Sequence, residues 1–183
     1  EIAEVAKRAV TLRLEGQTRG QVGVPDLWLL LAPVKKTPLD YIVQKATELG
    51  VARIQPVITR RTIVERVNLD RMRANAVEAA EQCGVLNIAE IGEPMSFERM
   101  FATREPSRLL IFCDEAAETK DPVAALRQIG DVPVALLIGP EGGFDPAERA
   151  EANSRSEATG KARSARMSRI IVPTRPVAPT MPT

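Results

Sequence analysis

Apolar residues follow two different periods along this chain, and the alternation between them sets the expected fold. Between Asp26 and Ala32 the run Leu27-Trp-Leu-Leu-Leu31 is apolar throughout, as in a strand covered on both faces. From Pro38 to Gly50 the period changes. Leu39, Ile42, Val43, Ala46 and Leu49 line one side, while Asp40, Gln44, Lys45 and Glu48 line the other. This predicts an amphipathic helix that Gly50 stops. Ile54 to Thr59 predicts a second strand. Asn68 is placed to cap a helix reaching Cys83, with Leu69, Met72, Ala76, Ala80 and Cys83 inward and Gly84 ending it. A short strand near Asn87–Ile91, a helix capped by Ser96, a strand at Arg108–Cys113, a helix from Asp121-Pro122 to Gln128 and a strand at Val132–Gly139 follow. Strands alternating with helices predict an α/β domain with a mostly parallel sheet and helices on both faces.

The two ends break the pattern. In residues 1–20, Ala9, Val10, Leu12 and Leu14 interleave with Lys7, Arg8, Thr11 and Arg13, as in the last hairpin of a small β unit. Gly20 to Pro25 has linker composition. From Ala152 to Arg169 no period stands out, and Pro173, Pro176, Pro179 and Pro182 then recur every third residue. Taken alone, that tail is expected to be disordered or extended, the prolines favouring polyproline II and forbidding a closing helix.

Composition narrows the chemistry. The chain has 183 residues with 44% hydrophobic and 3% aromatic, so the core must be aliphatic. Net charge is +1, so any nucleic-acid surface must be local rather than global. There is no histidine, which removes Ser-His-Asp and Cys-His nucleophiles and every His-containing zinc site. Cys83 and Cys113 lie far apart in segments expected to be buried, so they are read as core thiols of a reducing cytosol, with a disulfide as the less favoured alternative. No membrane-length apolar run, signal peptide or metal motif is visible.

The run Val134-Ala-Leu-Leu-Ile138-Gly139-Pro140-Glu141-Gly142-Gly143-Phe144 carries the strongest local signal. A buried strand enters a glycine turn, and Asp145, Pro146 and Glu148 then provide an N-cap, a first-position proline and a capping-box acid. Strand, turn and capped helix set a small ligand at the carboxyl edge of a parallel sheet. Without side chains, Gly139, Gly142 and Gly143 would let the backbone come close to that ligand and adopt positive φ. The alternative is a tight connection and nothing more. The turn is neither a dinucleotide fingerprint nor a P-loop. Arg60-Arg61, at the end of the second strand, can clamp phosphate or simply be solvated, and the same choice applies to Lys35-Lys36 after the first. Asp114-Glu115, ending another strand, can hydrogen-bond a ribose or cap the next element. Glu81 and Gln82, near a helix end, need no explanation as surface groups.

Four stretches together resemble one family. They are Ala32-Pro-Val-Lys-Lys36 with Asp40-Tyr-Ile-Val-Gln-Lys-Ala-Thr-Glu-Leu-Gly50-Val; Thr59-Arg-Arg-Thr62; Arg73 to Gly84 with its Glu-Gln-Cys-Gly ending; and Ile138-Gly-Pro-Glu-Gly-Gly-Phe144. They are similar in order and spacing to the bacterial small-subunit ribosomal RNA uridine-N3 methyltransferases of the SPOUT superfamily. The resemblance implies a C-terminal trefoil knot, an exception to ordinary topology. It implies S-adenosylmethionine bound in that knot, a homodimer with RNA near its interface, and a PUA-like β domain of which residues 1–22 are a remnant, ahead of a methyltransferase domain over 23–183. It assigns Ile138, Gly139, Pro140, Glu141, Gly142, Gly143, Asp114 and Glu115 to the cofactor. Lys35, Lys36, Arg60 and Arg61 are assigned to RNA, and Glu81, Gln82 and Arg61 to catalysis. Uracil N3 must lose a proton, which a base or a cation near the developing anion can assist, and the base must first be unpaired.

Two departures accompany the likeness. Val85 stands where the family has a basic residue. The family's second cofactor loop, of the form Leu-Gly-x-Arg-Ile-Leu-Arg-Ala-Glu/Asp-Thr-Ala, is matched only by Arg169-Ile170-Ile171. Codons for Ile171-Val-Pro-Thr-Arg-Pro176, read one base earlier, can spell Arg-Ala-Asp-Thr-Ala, so a frame slip in the coding sequence would account for the loss. A non-catalytic RNA-binding or ribosome-assembly protein on the same scaffold is the alternative that this departure keeps open.

Overall fold

A computed structural model describes residues 1–64, 66–114, 126–127, 130, 132–158 and 163–165. The main sheet is built from β3 (Leu27–Leu31), β4 (Arg53–Ile58), β5 (Glu90–Ile91), β7 (Leu109–Cys113), β8 (Val134–Ile138) and β9 (Arg163–Ala165). Their order is β5-β4-β3-β8-β7-β9, with β6 (Met95–Ser96) beside the far end of β4. Every pairing in it is parallel, Leu27 to Leu31 matching Val134 to Ile138 residue for residue. All strands therefore share one amino edge and one carboxyl edge.

The continuous apolar runs of β3, β7 and β8 are needed because both faces of the sheet are covered. On one face Leu29, Leu31 and Ile54 meet α1 (Lys36–Glu48) and α2 (Leu69–Cys83) through Leu39, Val43, Met72 and Ala76. On the other, Leu30, Leu110, Phe112 and Leu137 meet α3 (Phe97–Thr103), Phe144 and Ala152 of α4 (Pro146–Ala158). Side chains such as Phe112 and Leu137 are wholly buried, each contributing about 1.5–3 kcal/mol over exposure. The N-caps follow the sequence. Asn68 Oδ1 accepts from the Arg71 amide, Ser96 Oγ accepts from the Arg99 amide, and Gly84 closes α2 in the left-handed conformation.

Several expectations need correction. Leu49 does not join the inward face of α1: it ends the helix 75% exposed, and Thr47, its hydroxyl donating to the Val43 carbonyl, is buried instead. Cys83 is likewise exposed: the buried residues of α2 are Met72, Ala76, Ala79 and Ala80, and its last residue is not among them. Cys113 is half-buried at the end of β7, and burial pushes its thiol pKa up to about 12, so it stays protonated at neutral pH. Helix α4 continues through 152–158 where no period was evident, and β9 adds a strand beside β7, so 163–165 is not a structureless tail. The helix expected from Asp121 to Gln128 and the proline repeat lie outside the described residues, apart from 126–127. The C-terminal residues 166–183, which the implied knot would thread, lie outside them too.

At the N-terminus β1 (Ile2–Ala6) and β2 (Ala9–Leu12) form the expected antiparallel hairpin. Every residue of it is exposed, including Ile2, Val5, Val10 and Leu12. The linker is tied down by polar bonds. Arg19 donates to the Gly84 carbonyl at 2.7 Å, and Gln21 donates to the Leu86 carbonyl at 3.3 Å. No helix among the described residues is long and apolar enough to cross a membrane.

Candidate functional site: the carboxyl edge of β3, β4 and β8

Parallel strands put Ala32, Thr59 and Gly139 at the same edge, since each follows the last residue of its strand. From β3 the chain turns towards β4, whereas β8 lies on the other side of β3. Between them a crevice opens outside the strand ends, where open α/β sheets place ligands. Its walls are Pro33, Val34 and Lys35 from one loop, Arg61, Ile63 and Val64 from a second, and Pro140 and Glu141 from the glycine turn.

The turn is held by two glycines with different duties. Gly143 has φ +68 and its amide donates to the Pro140 carbonyl at 2.9 Å, closing a backbone conformation that strains any other residue. Gly139 faces the Phe144 ring: a Cβ there would lie 2.5 Å from a ring carbon. Phe144 folds back into the core against Phe112, at 4.7 Å between ring centroids, and this anchors the turn. Gly142 needs neither freedom; a Cβ on it would meet nothing within 4 Å, which leaves an open side. The expectation of positive φ at all three glycines thus holds for Gly143 alone.

Asp145 caps α4 as expected, its Oδ1 accepting from the Ala147 amide at 3.0 Å, and Glu148 Oε2 accepts in return from the Asp145 amide at 3.2 Å. Glu148 is only 2% exposed, and its other oxygen, Oε1, accepts from the Arg60 amide at 2.9 Å. The arginine loop reaches back with its side chains. Arg61 Nη1 donates to the Gly142 carbonyl at 3.0 Å, and Arg60 Nη1 donates to Asp145 Oδ1 at 3.2 Å. Thr59 and Thr62 close the loop, their hydroxyl oxygens 2.9 Å apart.

The sequence-assigned residues therefore divide. Lys35, Arg61, Pro140 and Glu141 share the crevice, Gly139, Gly142 and Gly143 form the turn, and Ile138 ends β8 beneath it. Arg60 is joined to the turn through Asp145, and Lys36 is exposed at the start of α1 beside the same edge. Asp114 is buried at the end of β7, its Oδ2 3.0 Å from Arg149 Nε, so it anchors α4 to the sheet. Glu115 lies outside the described residues. Glu81 and Gln82 are exposed in the last turn of α2, and within one chain they do not meet the glycine turn. The reason is topological: a crossover helix leaves the carboxyl edge of β4 and returns to the amino edge of β5, so its last turn lies at the other end of the sheet. Sequence reasoning missed the link from Glu148 to Arg60 and the pairing of Arg149. A capping acid was visible, but its partner 88 residues away was not.

The main sheet is parallel throughout, and the crevice at its carboxyl edge is walled by Pro33, Val34, Ile63, Val64 and Pro140 with Lys35, Arg61 and Glu141 among them. This is the open-sheet α/β class, whose ligand crevices lie at that edge. The chain belongs to the RNA methyltransferase domain family, whose model matches residues 23–160. It is 25% identical over 145 residues to ribosomal RNA small subunit methyltransferase E of Rickettsia conorii, covering 79% of this chain and 59% of that protein. It thus spans under two thirds of that curated relative's length. A Legionella pneumophila structure described as a methyltransferase in complex with bound S-adenosylmethionine matches with TM-score 0.69 and 28% identity, over 93% of this chain and 70% of that one. The same fold is seen in ribosomal RNA small subunit methyltransferase E of Neisseria gonorrhoeae bound to S-adenosylmethionine. That match has TM-score 0.67 and 20% identity, over 86% and 64% of the two chains.

Proposed function

We propose that this domain is an S-adenosylmethionine-dependent methyltransferase acting on N3 of a uridine in small-subunit ribosomal RNA, with the cofactor at the Ile138–Phe144 turn. The single observation that carries the proposal is the bonding of the Arg60–Arg61 loop to the glycine turn of a chain in this family. The residues fit the cofactor's chemistry. The open side of Gly142 exposes backbone rather than a side chain. The carboxyl side chains of Glu141 and Asp145 beside the turn offer acceptors for the hydroxyls of such a ligand. The cofactor would supply an electrophilic methyl group. Lys35 and Arg61, flanking the crevice, would hold RNA phosphate and favour the anion left when uracil N3 loses its proton.

Glu81 and Gln82 do not reach the crevice within one chain, so they would act there only if a homodimer shares its sites. Mixing two inactive variants, Glu81→Ala and Arg61→Ala, should then restore activity, and no restoration would deny them that role. Residues 1–22 are taken as a separate β hairpin and linker, and the knot and a cytoplasmic location go with the family reading. The deciding experiment incubates the chain with the cofactor and unmodified small-subunit RNA, then maps N3-methyluridine by mass spectrometry of a nuclease digest. One new methylated uridine is expected. Cofactor and RNA binding with no methylation would instead favour the non-catalytic scaffold, a reading motivated by the unmatched second cofactor loop.

A further inference from the structure

Glu148 does more than cap its own helix. An ordinary capping-box acid satisfies the amide of its N-cap residue, and the Glu148–Asp145 bond does this. Capping does not require the second bond, in which the Arg60 amide, 88 residues away, donates to the remaining oxygen at 2.9 Å. The carboxylate is 2% exposed, so little water can replace either bond. Charge-assisted bonds to a buried carboxylate are the stronger kind, and leaving one unmade is costly. The two side-chain bonds from Arg60 and Arg61 join the same two segments from outside.

We propose that Glu148 is a positioning residue that makes the arginine loop and the glycine turn one rigid unit, so that binding at the turn and RNA binding at the loop are energetically coupled. This rests on the turn being the cofactor site and the loop an RNA contact. A ligand that orders the turn also orders the loop through the shared carboxylate, and the next ligand then meets a loop already in place. The coupling must be reciprocal: RNA should tighten cofactor binding by the factor by which cofactor tightens RNA.

The test measures the dissociation constant of a uridine-containing RNA hairpin with and without saturating S-adenosylhomocysteine. The wild-type chain should show a coupling of about 5-fold or more. Glu148→Gln, which keeps the shape but replaces one acceptor by a donor, should bring that ratio close to one while the chain remains folded. Arg60→Ala keeps the backbone N–H. It should weaken RNA binding with and without the ligand while retaining most of the coupling. An unchanged ratio in Glu148→Gln overturns the proposal. A second measurement needs no ligand. In Glu148→Ala the amides of Arg60 and Asp145 should lose hydrogen-exchange protection together. Unaltered protection at Arg60 overturns the joint. A wild-type chain that binds neither ligand would defeat the functional proposal, and the exchange result would still decide whether Glu148 joins the segments.

Discussion

At the amino edge of the sheet Arg108 is 4% exposed and holds Asp26 with both terminal nitrogens, at 2.7 and 3.0 Å. Its guanidinium lies 3.8 Å from the Trp28 ring centroid, and Arg53 sits at 4.8 Å from the same ring. At the carboxyl edge Arg60 is 59% exposed and meets Asp145 through one nitrogen, while Arg61 is exposed and meets a carbonyl. The same residue type thus serves as a buried structural stack at one end and as a solvent-facing group at the other. Burial and bidentate pairing mark the structural arginines, and exposure with single bonds marks those that a ligand can still recruit.

The largest expected effect lies at the amino edge. Arg108→Ala removes a buried cation, its stacking on Trp28 and its bonds to Asp26, and should lower unfolding free energy by about 3 kcal/mol, read from urea midpoints. A loss below about 0.5 kcal/mol, the range of an exposed pair, would erase the contrast between the edges. Gly139→Ala comes next. The added Cβ collides with Phe144, and such overpacking costs about 1–3 kcal/mol. Cofactor binding should fall with it, since the turn must move, and calorimetry reads the change. At the carboxyl edge Arg61→Ala should change stability by no more than about 0.5 kcal/mol. It should weaken RNA binding and reduce the slope of log affinity against log salt by about one, if Arg61 contacts one phosphate.

The smallest effect is one of pH. The Arg108 guanidinium holds the Asp26 carboxyl below its usual range, and Arg71 does the same for Asp40. A depressed folded-state value contributes stability above the unfolded value of about 3.9, which is lost as pH falls through the folded one. Asp26→Asn should therefore flatten part of the acid-side decline in urea midpoint, and an unchanged decline would deny the pairing its electrostatic role. Asp26 is half exposed, so the effect should be modest.

The sheet was readable because its signals are local and continuous. The five apolar residues of β3 and β8 cannot satisfy a half-exposed strand, and Asn68, Ser96 and Asp145 announce their helices within three residues. Where the reading failed, the deciding contact was remote or the residue stood at an element's end. Leu49 fits the helical period but falls one residue past the last turn of α1. Glu81 and Gln82 stand in a suggestive motif, yet the direction of a crossover helix takes them away from the turn. Glycines at the turn looked alike in sequence, but Phe144 dictates Gly139, backbone sign dictates Gly143 and neither dictates Gly142. The bond from Arg60 to Glu148 joins segments 88 residues apart, and no local pattern encodes it.

The most direct test of cofactor binding at the carboxyl edge is a calorimetric titration of this chain with S-adenosylmethionine, run beside Gly139→Ala and Arg108→Ala under conditions where both remain folded. Saturable binding of one molecule per chain, weakened in Gly139→Ala and kept in Arg108→Ala, is the predicted result. No binding by the folded wild-type chain, or equal binding by the wild type and Gly139→Ala, would contradict a cofactor site at the glycine turn.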